Sequence, residues 1–302
     1  MRLLIAFLIL ISAASGECRD KIILTGTAVF GTCPMIMMAE DKLFEANGFD
    51  AEFIPWNTPD QYRALISSGK QVYALISTLE YVRLNKSVRD MSSMFTVEGS
   101  QLWFMGRKEK MSLDDLREET VALPFRGDMP EIMLGMLLAK RGISTEDVKI
   151  VSAGGAVNSA QLVMTGKAGS VMLPEPVAGT VKDISSSRKG LVPLYYSLSV
   201  EDEWNWQYNG NPPLVLNVIS GFSTGKETDE IFMKYYGSYF EQCKKSDEAA
   251  VNAFIRYFPS LDKKSTGRLL SSNTDRLKTL EDGSSNLNNF ISLMGKHAVK
   301  AY

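Results

Sequence analysis

Leu65-Ile66-Ser67-Ser68-Gly69-Lys70, leading into Ala74-Leu75-Ile76, returns 97 residues later as Leu162-Val163-Met164-Thr165-Gly166-Lys167, leading into Val171-Met172-Leu173. Each copy reads as a helix end closed at Gly-Lys and running into a buried strand. Each is preceded by another helix that glycine closes, at Gly48 and at Gly142. A duplicated half-molecule follows, two lobes built on one alternation of strand and helix.

Outward from the first copy, Lys21 to Leu24 and Ala51 to Pro55 read as strands. Between them Pro34 sits at a first helical position, and Met35, Met38, Ala39, Leu43 and Ala46 recur at helical spacing up to Asn47-Gly48. Thr58-Pro59-Asp60-Gln61 is a capping box with proline at N1, opening a helix that stops at Gly69. Around the second copy, Thr120 to Leu123 and Val148 to Ser152 are strands. Asp128-Met129-Pro130-Glu131 opens a helix closed at Gly142, and another helix runs from about Asn158 to Gly166. Strands separated by helices of this length predict an α/β fold of open, mostly parallel sheets flanked by helices.

Two apolar strands stand outside the repeat, Gln101 to Gly106 and Leu214 to Ile219, the latter after Pro212-Pro213. They are the two places where the chain can cross between lobes. Beyond Thr228 the pattern is helical. One lobe is therefore expected from residues 18–107 plus 212–302, and the other from 108–211.

Arg2, the apolar run Leu3 to Ile11 and the small residues Ser12 to Gly16 have the parts of a secretory signal peptide, taken as residues 1–17. Nine apolar residues reach about half the ~20 that a membrane-crossing helix needs. The expected location is the periplasm. Lipid attachment at Cys18 is the alternative, and Glu17 argues against it where a lipoprotein cleavage site wants a small residue. With 33 basic and 35 acidic residues spread along the chain, there is no basic face for nucleic acid. The three cysteines, Cys18, Cys33 and Cys243, permit one disulfide in an oxidising compartment.

Ligands of open parallel sheets sit outside the carboxyl ends of the strands. The loops there supply Thr27, Thr32 and Cys33, then Trp56 and Asn57, then Ser77 and Thr78. The second lobe supplies Arg126, Gly127 and Asp128, then Gly154, Gly155 and Asn158, then Glu175. Glu98 lies near the first crossing. Helix starts among these loops offer free N–H groups that favour anionic or polar ligand groups. Arg126 reads either as an anion partner or as a solvated loop arginine, and Asp128 reads as a helix cap. Glu175 and Glu98 read either as acceptors for a ligand N–H or as bridges between lobes. Trp56 is a candidate aromatic wall, whereas Trp204 and Trp206 read as packing between lobes.

No catalytic residue, cofactor or metal is expected. His297 is the single histidine, and the chain has no phosphate-binding glycine loop, zinc-spaced cysteine set or nucleophile elbow. Cys33, Met35, Met37 and Met38 would suit Cu(I), but Met35 and Met38 fall on the apolar face of their helix and read as core.

The order and spacing of these elements resemble the periplasmic binding proteins for nitrate, sulfonate, taurine, bicarbonate and thiamine-precursor pyrimidines. The elements are the helix Pro34 to Phe44 before Gly48, the Leu65 to Gly69 helix end leading to Ser77-Thr78, and the turn Ser112-Leu113-Asp114-Asp115-Leu116. To these are added Arg141-Gly142-Ile143 before Asp147-Val148, and the strand ending in Pro174-Glu175-Pro176. The resemblance implies a two-lobed type II binding-protein fold with two crossover strands. It implies a monomer that closes around a small polar or anionic ligand of the sulfonate, nitrate or pyrimidine-precursor class. It implies delivery to the inner-membrane permease of an ABC importer, without catalysis. A solute sensor and a pyrimidine-precursor enzyme are the alternatives on the same fold. Gln71-Val72-Tyr73 and Ala168-Gly169-Ser170 stand where the family commonly has an aspartate-alanine pair.

Overall fold

The computed structural model describes residues 21–88, 90–99, 101–245, 247–271 and 277–298. The expected signal peptide (residues 1–17) and Cys18 lie outside the described residues, as does the side chain of His297.

The chain folds into two mixed sheets. The first contains β1 (Lys21–Gly26), β2 (Asp50–Pro55), β3 (Gln71–Ser77) and β4 (Met91–Glu98). The second contains β5 (Leu102–Gly106), β6 (Thr120–Leu123), β7 (Lys149–Ser152), β8 (Ser170–Pro174) and β9 (Tyr195–Ser199). β10 (Val215–Phe222) and β11 (Leu277–Thr279) then return to the first, whose order is β11-β4-β10-β3-β1-β2. The second runs β7-β6-β8-β5-β9. In each sheet three strands are parallel, β2-β1-β3 and β7-β6-β8. An antiparallel strand from the far side of a crossing then lies against the third, β10 against β3 and β5 against β8.

The helices between parallel strands are α1 (Cys33–Glu40) and α2 (Pro59–Ile66) in the first lobe, and α4 (Met129–Lys140) and α5 (Ala156–Met164) in the second. The 97-residue offset of the sequence repeat holds for the whole unit: α2 shifted by it falls on 156–163 and β3 on 168–174. Gly69 and Gly166 close the two matching helices with φ of +73° and +75°, a left-handed conformation that costs a side-chain-bearing residue about 1–2 kcal/mol.

Three differences from expectation have physical causes. The first helix ends at Glu40, not near Ala46. Lys42 takes φ +53°, which no continuous helix permits, and the turn carries Phe44 into the core beside Tyr73. Second, β5 belongs to the second sheet, so the chain crosses before Leu102 instead of after residue 107. An apolar run can extend either sheet, and the open edge of β8 takes this one. Third, Trp206 is 65% exposed, its ring covered by the Arg141 guanidinium instead of by the other lobe, while its neighbour Trp204 in α7 (Val200–Tyr208) is fully buried against Phe290 of α11 (Leu280–Ala298), as expected.

Two elements after the first repeat, α3 (Thr78–Asn85) and β4, extend the lobe towards the crossing. α6 (Val177–Ser187) follows β8. The C-terminal helices α8 (Lys226–Lys244), α9 (Glu248–Tyr257) and α10 (Lys263–Ser271) pack chiefly on the first lobe, with α8 and α9 against α1. A disulfide joins Cys33 of α1 to Cys243 of α8. Beside it Tyr73, Phe232, Tyr236 and Phe95 stack in a row, each aromatic pair adding about 0.5–1.5 kcal/mol beyond the area it buries. α10 also touches α6, and α11 lies across both β4 and α4.

Candidate functional site

A cavity of about 330 Å³ lies between the lobes. Its wall is made by the chain immediately beyond the carboxyl ends of β1, β2, β3, β6, β7 and β8, completed by the crossing at Val97 to Leu102, by Leu216 and Asn217 of β10, and by the turn Phe258 to Leu261. This is where open parallel sheets hold ligands, because helix starts and exposed loop backbone converge there.

In the first lobe, Thr27 follows β1 on the cavity wall. The loop it opens is anchored by the Tyr236 hydroxyl, which donates to the Gly31 carbonyl at 2.6 Å. Trp56 follows β2; its indole N–H donates to the Leu75 carbonyl at 3.2 Å. That fixes the ring against Tyr62 and opposite Phe125 of the second lobe. The Gln61 carboxamide oxygen accepts from the backbone N–H of both Asn57 and Thr58, closing the start of α2. Ser77 ends β3 and caps α3, accepting from the Glu80 N–H.

In the second lobe, Asp128 caps α4, Oδ1 accepting from the Met129 N–H at 2.8 Å. The same oxygen accepts from the Ser77 hydroxyl at 2.7 Å, a direct bond between lobes. Nearby Arg83 donates to the Gly127 carbonyl at 3.1 Å, a second bond of this kind. Its guanidinium is flanked by Glu80, which is 3% exposed and holds Arg63 through both oxygens. Gly154 and Gly155 precede α5, whose N-terminus takes no side-chain cap. Asn158 donates to the Ala153 carbonyl. Glu175 Oε2 accepts from the Gly179 N–H in the first turn of α6, and Oε1 accepts from the Tyr196 hydroxyl. Burial pushes the Glu175 carboxyl above its ordinary value, against the opposing pull of those two donors. At the crossing, Glu98 Oε1 accepts from the Asn286 amide of α11 at 2.8 Å.

The structure thus brings Thr27, Trp56, Asn57, Ser77, Glu98, Asp128, Gly154, Gly155, Asn158 and Glu175 to one cavity. Five residues named from the sequence lie off its wall. Cys33 is spent in the disulfide and is 1% exposed. Thr32 is fully buried, packed against Gly26. Thr78 is fully buried, its hydroxyl donating to the Val215 carbonyl at 2.5 Å. Arg126 faces solvent. The Gly127 N–H is taken by Glu131. Reading along the chain passed over Asn217 and the Phe258–Leu261 turn. Asn217 carried a signal, a lone amide inside the apolar run Leu214 to Ile219; the turn at 258–261 reaches the cavity only through tertiary packing. Among the described residues no three His, Cys, Asp or Glu side chains gather as a metal site, and no helix is long and apolar enough to cross a membrane.

The NMT1/THI5-like family profile matches residues 30–177, from the first cavity loop to the start of α6. No curated protein matches the sequence. Three solved structures illustrate the likeness of fold. A zinc-bound ligand-binding component of an ABC-type import system from Staphylococcus aureus is 13% identical, with a TM-score of 0.71 over 93% of each chain. The periplasmic aliphatic sulphonate binding protein of Escherichia coli is 10% identical, with a TM-score of 0.68 over 92% of each chain. A Candida albicans protein with the generic periplasmic binding protein fold is 11% identical, with a TM-score of 0.62 over 93% of this chain and 94% of that one. The chain is thus built on the two-lobed fold of the periplasmic binding proteins, and the stretch that matches the NMT1/THI5-like family model, residues 30–177, carries most of the strand-end loops that wall the cavity.

Proposed function

We propose that this chain is the extracytoplasmic solute-capture component of an ABC importer, a monomer that closes on one small organic ligand and presents the closed form to a membrane permease. The observation that carries the reading is the cavity itself. It lies between two halves of one design, is walled by the strand ends of both, and is bridged by the Ser77–Asp128 and Arg83–Gly127 bonds. A ligand that touches both walls binds the closed arrangement better than the open one and shifts the population towards it.

Among the ligand classes the resemblance suggests, a planar heterocycle fits best, because the Trp56 and Phe125 rings, in tilted contact across the two lobes, both border the cavity. Nothing catalytic is needed. Cys33 and Cys243 are joined and offer no thiolate, which weighs against a covalent enzyme on this fold.

Intrinsic fluorescence and thermal shift test the reading together. A heterocyclic ligand raises the melting temperature and shifts emission in the wild type, and Trp56→Phe removes most of the emission change. A screen in which no small molecule moves either signal sinks it.

A further inference from the structure

Three carboxyl side chains line the cavity, Glu98, Asp128 and Glu175, and among its described lining residues none is lysine, arginine or histidine. None of the three takes part in an ion pair among the described residues. The fold accounts for two of them. Asp128 sits at the N-terminus of α4 and Glu175 at that of α6, and the positive helix ends answer their charge. Glu98 differs: it ends β4, is half-buried, and accepts from a neutral amide, that of Asn286.

A carboxylate partly withdrawn from water is costly unless an opposite charge meets it. In an open form, solvent serves. In a closed form, the ligand is what can. An anionic ligand would meet three carboxyl groups and, on the described wall, no cationic side chain. A flat cation gains twice, from the carboxylate and from the aromatic rings of Trp56 and Phe125 on the wall.

We infer that the interlobe cavity selects an organic cation, a protonated amine or amidinium group on a flat apolar body, with Glu98 as its counter-ion. The inference rests on the binding-protein reading above and adds the sign of the ligand's charge. Sulfonate and nitrate are then excluded as cargo, and Glu98 becomes the residue that discriminates charge.

The test uses three probes of similar size on the full chain: benzamidinium, neutral benzamide and benzenesulfonate, each followed by calorimetry and thermal shift. Benzamidinium is expected to bind most tightly of the three. Glu98→Gln keeps the acceptor for Asn286, and is expected to weaken benzamidinium about tenfold or more while leaving benzamide unchanged. Benzenesulfonate binding as tightly as benzamidinium overturns the inference and leaves the binding-protein reading standing. Unchanged benzamidinium affinity in Glu98→Gln overturns it too. If no probe binds and native mass spectrometry finds no co-purified small molecule, both fall. Should the Glu98→Gln variant fail to fold, the charge series on the wild type decides alone.

Discussion

The unit from β1 to β3 and the unit from β6 to β8 share one topology, yet they finish their helix starts in opposite ways. The first lobe uses neutral groups and a covalent clamp. Gln61 closes α2, Ser77 caps α3, and the Cys33–Cys243 bond holds the start of α1 against α8. The second lobe uses acid or nothing. Asp128 caps α4, Glu175 serves α6, and Gly155 leaves α5 open. Backbone duplication therefore preserves where the loops lie, while the capping residues set what each helix start offers a ligand: neutral side chains in one lobe, a carboxylate or bare backbone in the other.

The comparison breaks most visibly at the clamp. Cys243→Ser opens a 210-residue loop, worth about 5 kcal/mol by chain entropy. Denaturant unfolding should show a loss of that order, reductant should reproduce it on the wild type, and an unchanged midpoint would mean that packing alone holds α1. The acid cap comes next. Asp128→Ala should cost about 1–2 kcal/mol and, because Ser77 loses its partner, should also enlarge the radius of gyration seen by small-angle scattering. Gln61→Ala, which leaves both interlobe bonds intact, should lower stability without expanding the molecule.

Glu175 sharpens the contrast through pH. Its carboxyl is raised in the folded state, so the native chain holds that proton more tightly than the unfolded chain does. Stability from this group therefore falls as pH rises from the ordinary carboxylate value of 4.5 through the raised one, and levels off above it. Melting curves from about pH 4 to pH 7 should show that fall in the wild type and lose it in Glu175→Gln. The smallest effect belongs to the open helix start. A Cβ at Gly155 would meet only the Asn57 carbonyl, at 3.7 Å. Gly155→Ser should therefore be accommodated and gain a few tenths of a kcal/mol as a cap, while changing ligand affinity more than stability.

Much of the architecture was legible along the chain. The Gly-Lys repeat, the Thr58 to Gln61 cap and the Asp128 cap are local signals, and the helices and strands they mark are present with small shifts. α3 was not legible because Ser77-Thr78 after a strand reads as the cleft loop it also is. β5 was placed in the wrong lobe because an apolar strand carries no label for the sheet it joins. In the cavity, loop membership could be read but side-chain direction could not. Thr78 follows Ser77 by one residue, yet Ser77 faces the cavity while Thr78 turns inward to Val215.

What the sequence alone determined is the repeat, hence two lobes with parallel strand ends as the place for a ligand, because helix and strand periodicity and capping act over a few residues. Tertiary structure alone decided the pairing of Cys33 with a residue 210 positions away, the sheet that β5 and β10 each complete, and the absence of any cation to meet Glu98 on the described cavity wall. Those depend on which distant surfaces exclude water together, and no local signal encodes that.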